Sequence, residues 1–579
     1  MFLATTARSD FWDAEDELLF LGPWCTPYDR KPEWERLRGR MLANPWDDRE
    51  RLSRAIAYCD EVSERLLPLL ADWLNARHGT KFSTRYWRIL LGLWLRYHIQ
   101  QLYDHYIHAT DALKAHPGAR TLLSDEADYR TPADFEEFLF LCMRTDEYHL
   151  QLYSSIFARL GNFPRRRLTS PESPLSPYAV GESGSNFSLS LIGKRCLPYL
   201  SRLVISRSRC SDLYLTRTES LHLFCATGGK LLPYLGPRPP HAVMPDAGSR
   251  AGLASLPARD EFERLLVQSL PKHLPLLYLE SYEQMRQQSL LSLGKRPEMI
   301  LTSVGWYSNE ATKFAMAEAA ENGTRLWGVQ HGGGPGMVRY HPTEAHELAI
   351  FDRYFTWGWS RLAKDPKLAD WPHPKTSRSL PARPSGGDVL FLTTTEPLST
   401  TRLARGPLGT QGLRYLEWQV DFISALPEPV FRRLRVRDYP DDMGWAHHRR
   451  LLDRFPGLRF DGSEPFERSV AAASLVVCDH PATTMLETIP AGVPTLVFWD
   501  PAYYEARPQA EPFLSALRQQ GVLFDSPKAA AREVETALAD PLGWRDVPER
   551  RKAAEDFCRV YALRDSDWAR VWARDIASG

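Results

Sequence analysis

The chain has 579 residues, too many for one hydrophobic core, so two or three domains are expected. Its 72 basic and 72 acidic side chains cancel, which leaves no overall field for nucleic acid. No run of about 18 apolar residues occurs, so no membrane span is expected, and the N-terminus lacks the apolar run of a signal peptide. The eight cysteines are scattered without a C-x-x-C pair. That pattern indicates neither a zinc site nor a disulfide framework, and it suits reduced thiols in a cytoplasmic protein.

Residues 2–6 and 18–21 read as short strands, with Arg8-Ser9-Asp10 and an acidic run in the loop between them. Helical periodicity then takes over. Residues 51–75 carry Ile56, Leu66, Leu67, Leu70 and Trp73 at three- and four-residue spacings, and residues 86–109 hold Trp87, Trp94 and Tyr97. Such an aromatic stripe is expected to be core rather than a binding face. Residues 135–160 read as one further helix. Residues 164–177 form a basic, then Ser/Pro-rich loop. Its Arg165-Arg166-Arg167 triplet suits a solvated turn, or else an anionic lipid headgroup or a phosphorylated acceptor. From 181 to 257 the signal is weak, with strands read at 203–206 and 221–225.

Order returns with helices at 260–270 and 279–293, a strand at 298–303 and a loop at 305–308. A helix of good formers follows at 309–322, stopped by Gly323. The strand at 324–330 ends on His331-Gly332-Gly333-Gly334-Pro335-Gly336, and another strand falls at 353–356. These are β–α–β units, whose ligand crevice lies at the carboxyl ends of the strands. Residues 366–388, rich in Pro, Ser, Gly and Arg, read as a linker. A second alternation of strands and helices fills 389–525, and a helical segment ends the chain. The expected fold is α/β: two Rossmann-like lobes facing a cleft, with a helical elaboration at about 50–160. The lobes divide as 1–365 on the acceptor side and 389–545 on the donor-nucleotide side, followed by 546–579.

QHGGGPG is neither a Walker A loop nor a dinucleotide fingerprint. Its glycines let backbone N–H groups approach a ligand closely, and His331 is a candidate base. In the second lobe, SLVVCDHPATTMLETIPAGVPTLVFWDP reads as strand, polar turn, short helix and strand. Thr483 and Thr484 stand beside the free N–H groups of a helix start, which suit phosphate oxygens. Glu487, one turn on, suits a sugar hydroxyl. A plain helix cap by Asp479 or Thr483 fits the sequence equally well. Arg437 at a strand end is placed for a phosphate or for a surface ion pair. Glu310 is either an alternative base or a complement to its helix dipole.

LWGVQHGGGPG together with VVCDHPATTMLETIPAGVPTLVFWD resembles transferases encoded in bacterial O-antigen and surface-polysaccharide clusters. More distantly it resembles GT-B enzymes such as the polyol-phosphate transferases of teichoic acid synthesis. The close resemblance covers residues 85–95 and most of 298–505. It implies a GT-B-like fold and a glycosyltransferase that uses a nucleotide-activated sugar, a CMP-linked acidic sugar being one option. The acceptor would be a saccharide or a lipid-linked saccharide, with peripheral contact at the inner face of the membrane. No metal or other cofactor is implied. Carried over, Asp479, His480, Thr483, Thr484, Glu487 and Arg437 serve the donor. His331 and Glu310 serve the acceptor, with Gly332, Gly333 and Gly334 as the loop. Thr-Thr stands where Ser-Ser is usual, and no lysine follows the His-Gly turn. The alternatives are a polyol-phosphate transferase, in which His331 and His480 would both act, and a binding scaffold without turnover.

Overall fold

A computed structural model describes residues 1–169, 208–240, 243–380, 386–462 and 464–578. The strand expected at 203–206 and most of the Ser/Pro-rich loop lie outside the described residues. Three parallel strands open the chain, β1 (Phe2–Ala4), β2 (Leu18–Phe20) and β3 (Gly39–Met41). A helical layer follows, led by the 30-residue helix Arg49–His78. Asp48 caps it by accepting from the Arg51 N–H at 2.9 Å, and Gly79 ends it at φ +65°, where a side chain would be strained. It packs on Leu93–Ala115, whose buried face includes Trp94, Tyr97 and Leu102. The stretch expected as one helix at 135–160 breaks at Thr145. There the backbone is extended, and the helices Phe135–Arg144 and Asp146–Leu160 separate. A short parallel pair, β4 (Leu123–Ser124) with β5 (Arg165–Arg166), closes the layer.

Two six-stranded parallel sheets carry the rest. The first comprises β6 (Ser208–Ser211), β7 (Leu231–Pro233), β8 (Met299–Thr302), β9 (Arg325–Val329), β10 (Arg353–Thr356) and β11 (Leu368–Asp370), in the order β11-β10-β9-β8-β6-β7. The second comprises β12 (Asp388–Leu392), β13 (Leu434–Arg437), β14 (Arg459–Phe460), β15 (Ala473–Cys478), β16 (Thr495–Phe498) and β17 (Leu523–Phe524), in the order β14-β13-β12-β15-β16-β17. The central strand β15 is buried at every position, the apolar run that a parallel sheet covered on both faces demands. Two Rossmann-like lobes are therefore present, as the sequence leads one to expect.

Three local expectations are corrected. Residues 221–225 lie in the helix Arg217–Ala226, not a strand. A capping box decides it: Thr216 accepts from the Glu219 N–H at 3.2 Å, and Glu219 accepts from the Thr216 N–H at 2.7 Å. The loop at 305–308 is a helical turn, Gly305–Ser308. The expected linker at 366–388 contributes β11 to the first sheet, so its first residues are part of that lobe. Trp371, just after β11, stacks on Phe355 at 3.4 Å and on Trp572 at 4.7 Å. Through Trp572 the C-terminal helix Trp568–Ser578 docks on the first lobe, and its indole N–H donates to the Pro372 carbonyl at 2.9 Å.

The helical layer buries imidazoles. Burial pushes the pKa of His98 and His149 down to about 3. The unfolded value is about 6.5, so between those limits the unfolded chain binds more protons than the folded one. Stability is thus expected to be full above pH 6.5 and to fall as the pH drops towards 3. Urea midpoints measured from pH 7.5 to 4 should show this, and His98→Gln/His149→Gln should flatten the slope. An unchanged slope in that double variant would assign the acid sensitivity to other groups.

Candidate active site

In a doubly wound sheet, ligands bind where neighbouring strands send their connections to opposite sides. In the first sheet that point lies between β6 and β8, which lead to β7 and β9 in opposite directions. In the second it lies between β12 and β15, which lead to β13 and β16. The loops leaving these strands begin at Asp212 and Ser303 in the first lobe, and at Thr393 and Asp479 in the second.

The glycine loop leaves β9 between the two lobes. Buried Gln330 shapes it: its amide donates to the Gly332 carbonyl at 2.8 Å, and its oxygen accepts from the Trp357 N–H and the Trp359 indole. The Gly333 N–H then donates to Thr483 Oγ1 of the second lobe at 2.9 Å. A Cβ on Gly333 would come within 2.6 Å of the Ala482 carbonyl carbon and 2.7 Å of the Thr483 nitrogen. Glycine is required there because the two backbones touch. Beyond the loop, Val338 forms an antiparallel bridge with Ala506. The Arg339 N–H donates to the Glu505 carbonyl at 2.7 Å, and Arg507 reaches Glu344 at 2.7 Å.

Thr483 opens a six-residue helix, Thr483–Thr488, that has no side-chain cap. Asp479 therefore does not cap it. Its carboxylate turns inward, 2% exposed, into a chain of hydrogen bonds. His480 Nδ1 lies 2.8 Å from Asp479 Oδ1, and the Gln419 amide donates to Oδ2 at 2.7 Å. The oxygen of Gln419 accepts from His447 Nε2 at 2.6 Å, and His447 Nδ1 stands 3.6 Å from Asp438. Burial works against the Asp438 carboxylate, but the hydrogen bond and charge of His447 hold its pKa below the usual range. A carboxylate only accepts, so the His480 proton is fixed on Nδ1 and Nε2 keeps its lone pair. His480 lines an interlobe cavity with Gly334, His341, Glu396, Arg405 and Tyr504. Arg405 is ion-paired to Glu396. Burial, followed by the neighbouring His331 and Arg405, drives the His341 pKa well down.

A second cluster gathers around His331. This imidazole is half-buried, and burial, helped by Lys375, lowers its pKa to about 4. Lys375 stands in the turn Pro374–Ser377, with its ammonium 3.9 Å from the centroid of the Tyr214 ring. Burial lowers its pKa, against the pull of Glu487. Glu487 is raised by burial and held back by Lys375 and Arg378, whose guanidinium is 4.0 Å away.

Two expected site residues lie elsewhere. Glu310 is sealed in the first lobe, paired to Lys313 at 2.7 Å and accepting from the Tyr278 hydroxyl at 2.9 Å. Its pKa is raised by burial, and it is no free base on an open cleft. Arg437 spends one nitrogen on Asp461 at 2.7 Å, the Glu464 carbonyl at 2.8 Å and Ser469 at 3.0 Å, which makes it a structural ion pair. Sequence reasoning missed His341, Lys375, Glu396, Arg405 and the chain through Gln419 and His447. Lys375 sits in the stretch read as a linker, and the others carry no local motif.

Two doubly wound lobes that meet at the carboxyl ends of their strands around a polar cavity define a two-lobed α/β enzyme plan. The chain belongs to the LIC12162 family of transferases, whose model matches residues 1–576. No curated protein matches the sequence. Solved structures with similar folds include the MnaA–UDP complex of S. aureus, with 10% identity over 64% of this chain and 95% of that one, TM-score 0.36. The UDP-GlcNAc 2-epimerase of Neisseria meningitidis bound to UDP-GlcNAc shares 11% over 64% and 99%, TM-score 0.36. The wall teichoic acid polymerase TagF shares 8% over 66% and 92%, TM-score 0.32. Similarity at this level assigns no activity. Among the described residues, no helix is long and apolar enough to cross a membrane.

Two substitutions test the geometry of the junction. Gly333→Ala is expected to force the lobes apart and raise hydrogen exchange across 331–338 and 502–507. Thr483→Val removes one hydrogen bond, worth about 0.5–1.5 kcal/mol, and should loosen the same segments without unfolding the chain. Protection equal to the native protein in both variants would show that this contact does not hold the lobes together. Lys313→Met, which strands a buried carboxylate, should destabilise the first lobe by about 3–5 kcal/mol in urea unfolding.

Proposed function

We propose that the protein transfers a sugar from a nucleotide-activated donor to an acceptor hydroxyl in surface-polysaccharide synthesis, O-antigen included. The single observation that carries this reading is the Asp479–His480 pair at the second lobe's crevice point, with Nε2 free beside the interlobe cavity. His480 Nε2 takes the proton of the acceptor hydroxyl. The hydroxyl oxygen attacks the anomeric carbon as the bond to the nucleotide phosphate breaks. Asp479 steadies the imidazolium that forms, while Lys375 and the hydroxyls of Thr483 and Thr484 meet the departing phosphate. Among the described residues no carboxylate pairs with His331, and burial, followed by Lys375, lowers its pKa to about 4. It remains neutral at the cleft as a hydrogen-bonding group. The second lobe holds the donor and the first lobe the acceptor, with a CMP-linked acidic sugar one donor option. A lipid-linked acceptor would bring the protein to the inner face of the membrane.

One observation favours a second reading, polyol-phosphate transfer: histidines from opposite lobes, His331 and His480, flank one glycine loop. There the attacked atom is phosphorus and the donor a nucleotide-linked polyol.

Turnover of a panel of nucleotide sugars and nucleotide-linked polyols separates the two readings. His480→Asn should lower turnover by about 10²–10⁴-fold with donor affinity little changed. His331→Asn should lower it less and leave the acid limb of the pH profile in place. Native turnover in His480→Asn would remove that residue from the chemistry, and binding without turnover of any donor would favour a scaffold.

A further inference from the structure

Gln419 is fully buried on the helix Gln411–Ser424, with an ionisable group on each side. Its amide nitrogen lies 2.7 Å from Asp479 Oδ2, and its oxygen 2.6 Å from His447 Nε2. With Asp479 as a carboxylate, one arrangement of protons satisfies both distances. A carboxylate accepts and cannot donate, so the Gln419 NH2 faces Asp479. The Gln419 oxygen then faces His447, which must donate from Nε2. Asp479 thus receives from Gln419 on Oδ2 and from His480 Nδ1 on Oδ1, the latter at 2.8 Å. An amide orients Asp479 without bringing a cation against it, so the carboxylate keeps its charge for His480.

The backbone before His447 is strained. Met443, Gly444 and Ala446 have φ of +53°, +93° and +52°, conformations that side chains seldom adopt. Such dihedrals persist where the surroundings over-determine them. Asp442 accepts from the Ala446 and His447 N–H groups at 2.7 Å each. Asp441 accepts from the Met443 N–H at 3.2 Å and pairs with Arg144 of the helical layer at 3.0 Å. The Trp445 indole donates to the Glu396 carbonyl at 2.7 Å. What this pinned turn presents to the interior is the His447 ring, 6% exposed.

We infer that Gln419 and His447 are positioning residues for His480: they hold Asp479 as an acceptor, and so keep the His480 proton on Nδ1 and its lone pair on Nε2. This rests on the proposed role of His480 as base and specifies what maintains it. Neither residue lines the interlobe cavity, so both act through Asp479. The opposite proton arrangement shows why both are needed. Without His447 to fix its oxygen, the Gln419 amide turns over and offers that oxygen to Asp479. Two acceptors then face each other, and a proton on Asp479 relieves the contact. A protonated Asp479 donates to His480 Nδ1, the imidazole proton resides on Nε2, and no lone pair is left for an acceptor hydroxyl. A wrong tautomer of this kind disables a histidine base while leaving its geometry intact.

Heteronuclear NMR of the full chain, isotope-labelled at the histidine nitrogens, reads the tautomer of His480, with His480→Asn identifying its signals. At about pH 8, above the ordinary imidazole range, the native protein should show Nδ1 protonated and Nε2 bare. Gln419→Met, which keeps the side-chain volume, and His447→Phe, which keeps the ring, should move the proton onto Nε2. His447→Gln, whose amide can still donate to Gln419, should restore the native form. With whichever nucleotide donor the native protein turns over, kcat should fall about 10- to 100-fold in the first two variants at a nearly unchanged donor KM, as when other groups that orient a histidine are removed, and recover in His447→Gln. Gln419→Met alone decides the matter where His447→Phe does not fold. The tautomer is read without substrate, so it decides the inference even where no donor is turned over. An unaltered tautomer in Gln419→Met and His447→Phe would overturn the inference and leave His480 standing as base. An altered tautomer with native turnover would uphold the positioning and remove His480 from the chemistry. A native His480 already protonated on Nε2 would overturn both.

Discussion

The two lobes touch backbone to backbone. Gly333 lies against Ala482 and Thr483 so tightly that a single methyl group would not fit. That distance fixes how far the carboxyl ends of the two sheets stand apart, and it does so without side chains that could change rotamer. The neighbouring 502–507 segment adds a one-residue β-bridge, Val338 to Ala506. Glu505 is gripped there by Arg49 at 2.6 Å and by Arg339 at 2.9 Å. Exposed ion pairs of this kind are worth little singly, but three layers of the chain meet at one carboxylate, and networks are stronger than pairs. This side of the crevice is shut.

With the lobes so held, the polar groups inside acquire their character from burial more than from one another. Desolvation first and Lys375 second lower the His331 pKa, and desolvation first, then His331 and Arg405, lower that of His341. Asp479 keeps its place at 2% exposure because Gln419 and His480 satisfy both its oxygens. A buried carboxylate without such partners would be costly, which is why the chain of hydrogen bonds extends back through His447 to Asp438. The chain also couples distant loops. Asp438 precedes Tyr439, so the loop that presents the exposed ring and the turn that presents His480 are joined by four side-chain contacts.

The fold was largely legible in the sequence because parallel strands buried on both faces are apolar runs, and β8, β9, β10, β12, β15 and β16 all stand out that way. The helix Arg217–Ala226 was not legible. LHLFC is an apolar run as short as a strand, and only the Thr216–Glu219 capping pair distinguishes it. Of the site, the motif-bearing parts were legible: the glycine loop, Asp479-His480 and the threonines after them. Their partners were not. Nothing at Glu310 announces Lys313 as an internal counter-ion rather than a helix neighbour, and nothing at Arg437 announces Asp461, 24 residues away. His341, Glu396, Arg405 and Gln419 lie outside any motif, and only the folded chain brings them to the cavity.

The helical layer has a part in the site that its position in the chain conceals. Glu396 and Arg405 belong to a long connection between β12 and the helix Gln411–Ser424, a length of chain that carries little regular structure of its own. Its order comes from the N-terminal region. Gln100 accepts from the Leu403 N–H at 2.9 Å, and the Asn44 amide donates to the Leu408 carbonyl at 2.8 Å. Gln411 donates to the Trp46 carbonyl at 3.0 Å, and Arg402, 8% exposed, reaches the Tyr97 hydroxyl at 3.4 Å. These are buried polar contacts, and leaving any one unmade costs about 1–3 kcal/mol. The aromatic helix that carries Tyr97 and Gln100 is core, as its periodicity implies, yet its polar positions fix the loop that forms one wall of the cavity. The shape of the cavity is therefore set by three parts of the chain at once: the glycine loop, the turn after β15, and the helical layer.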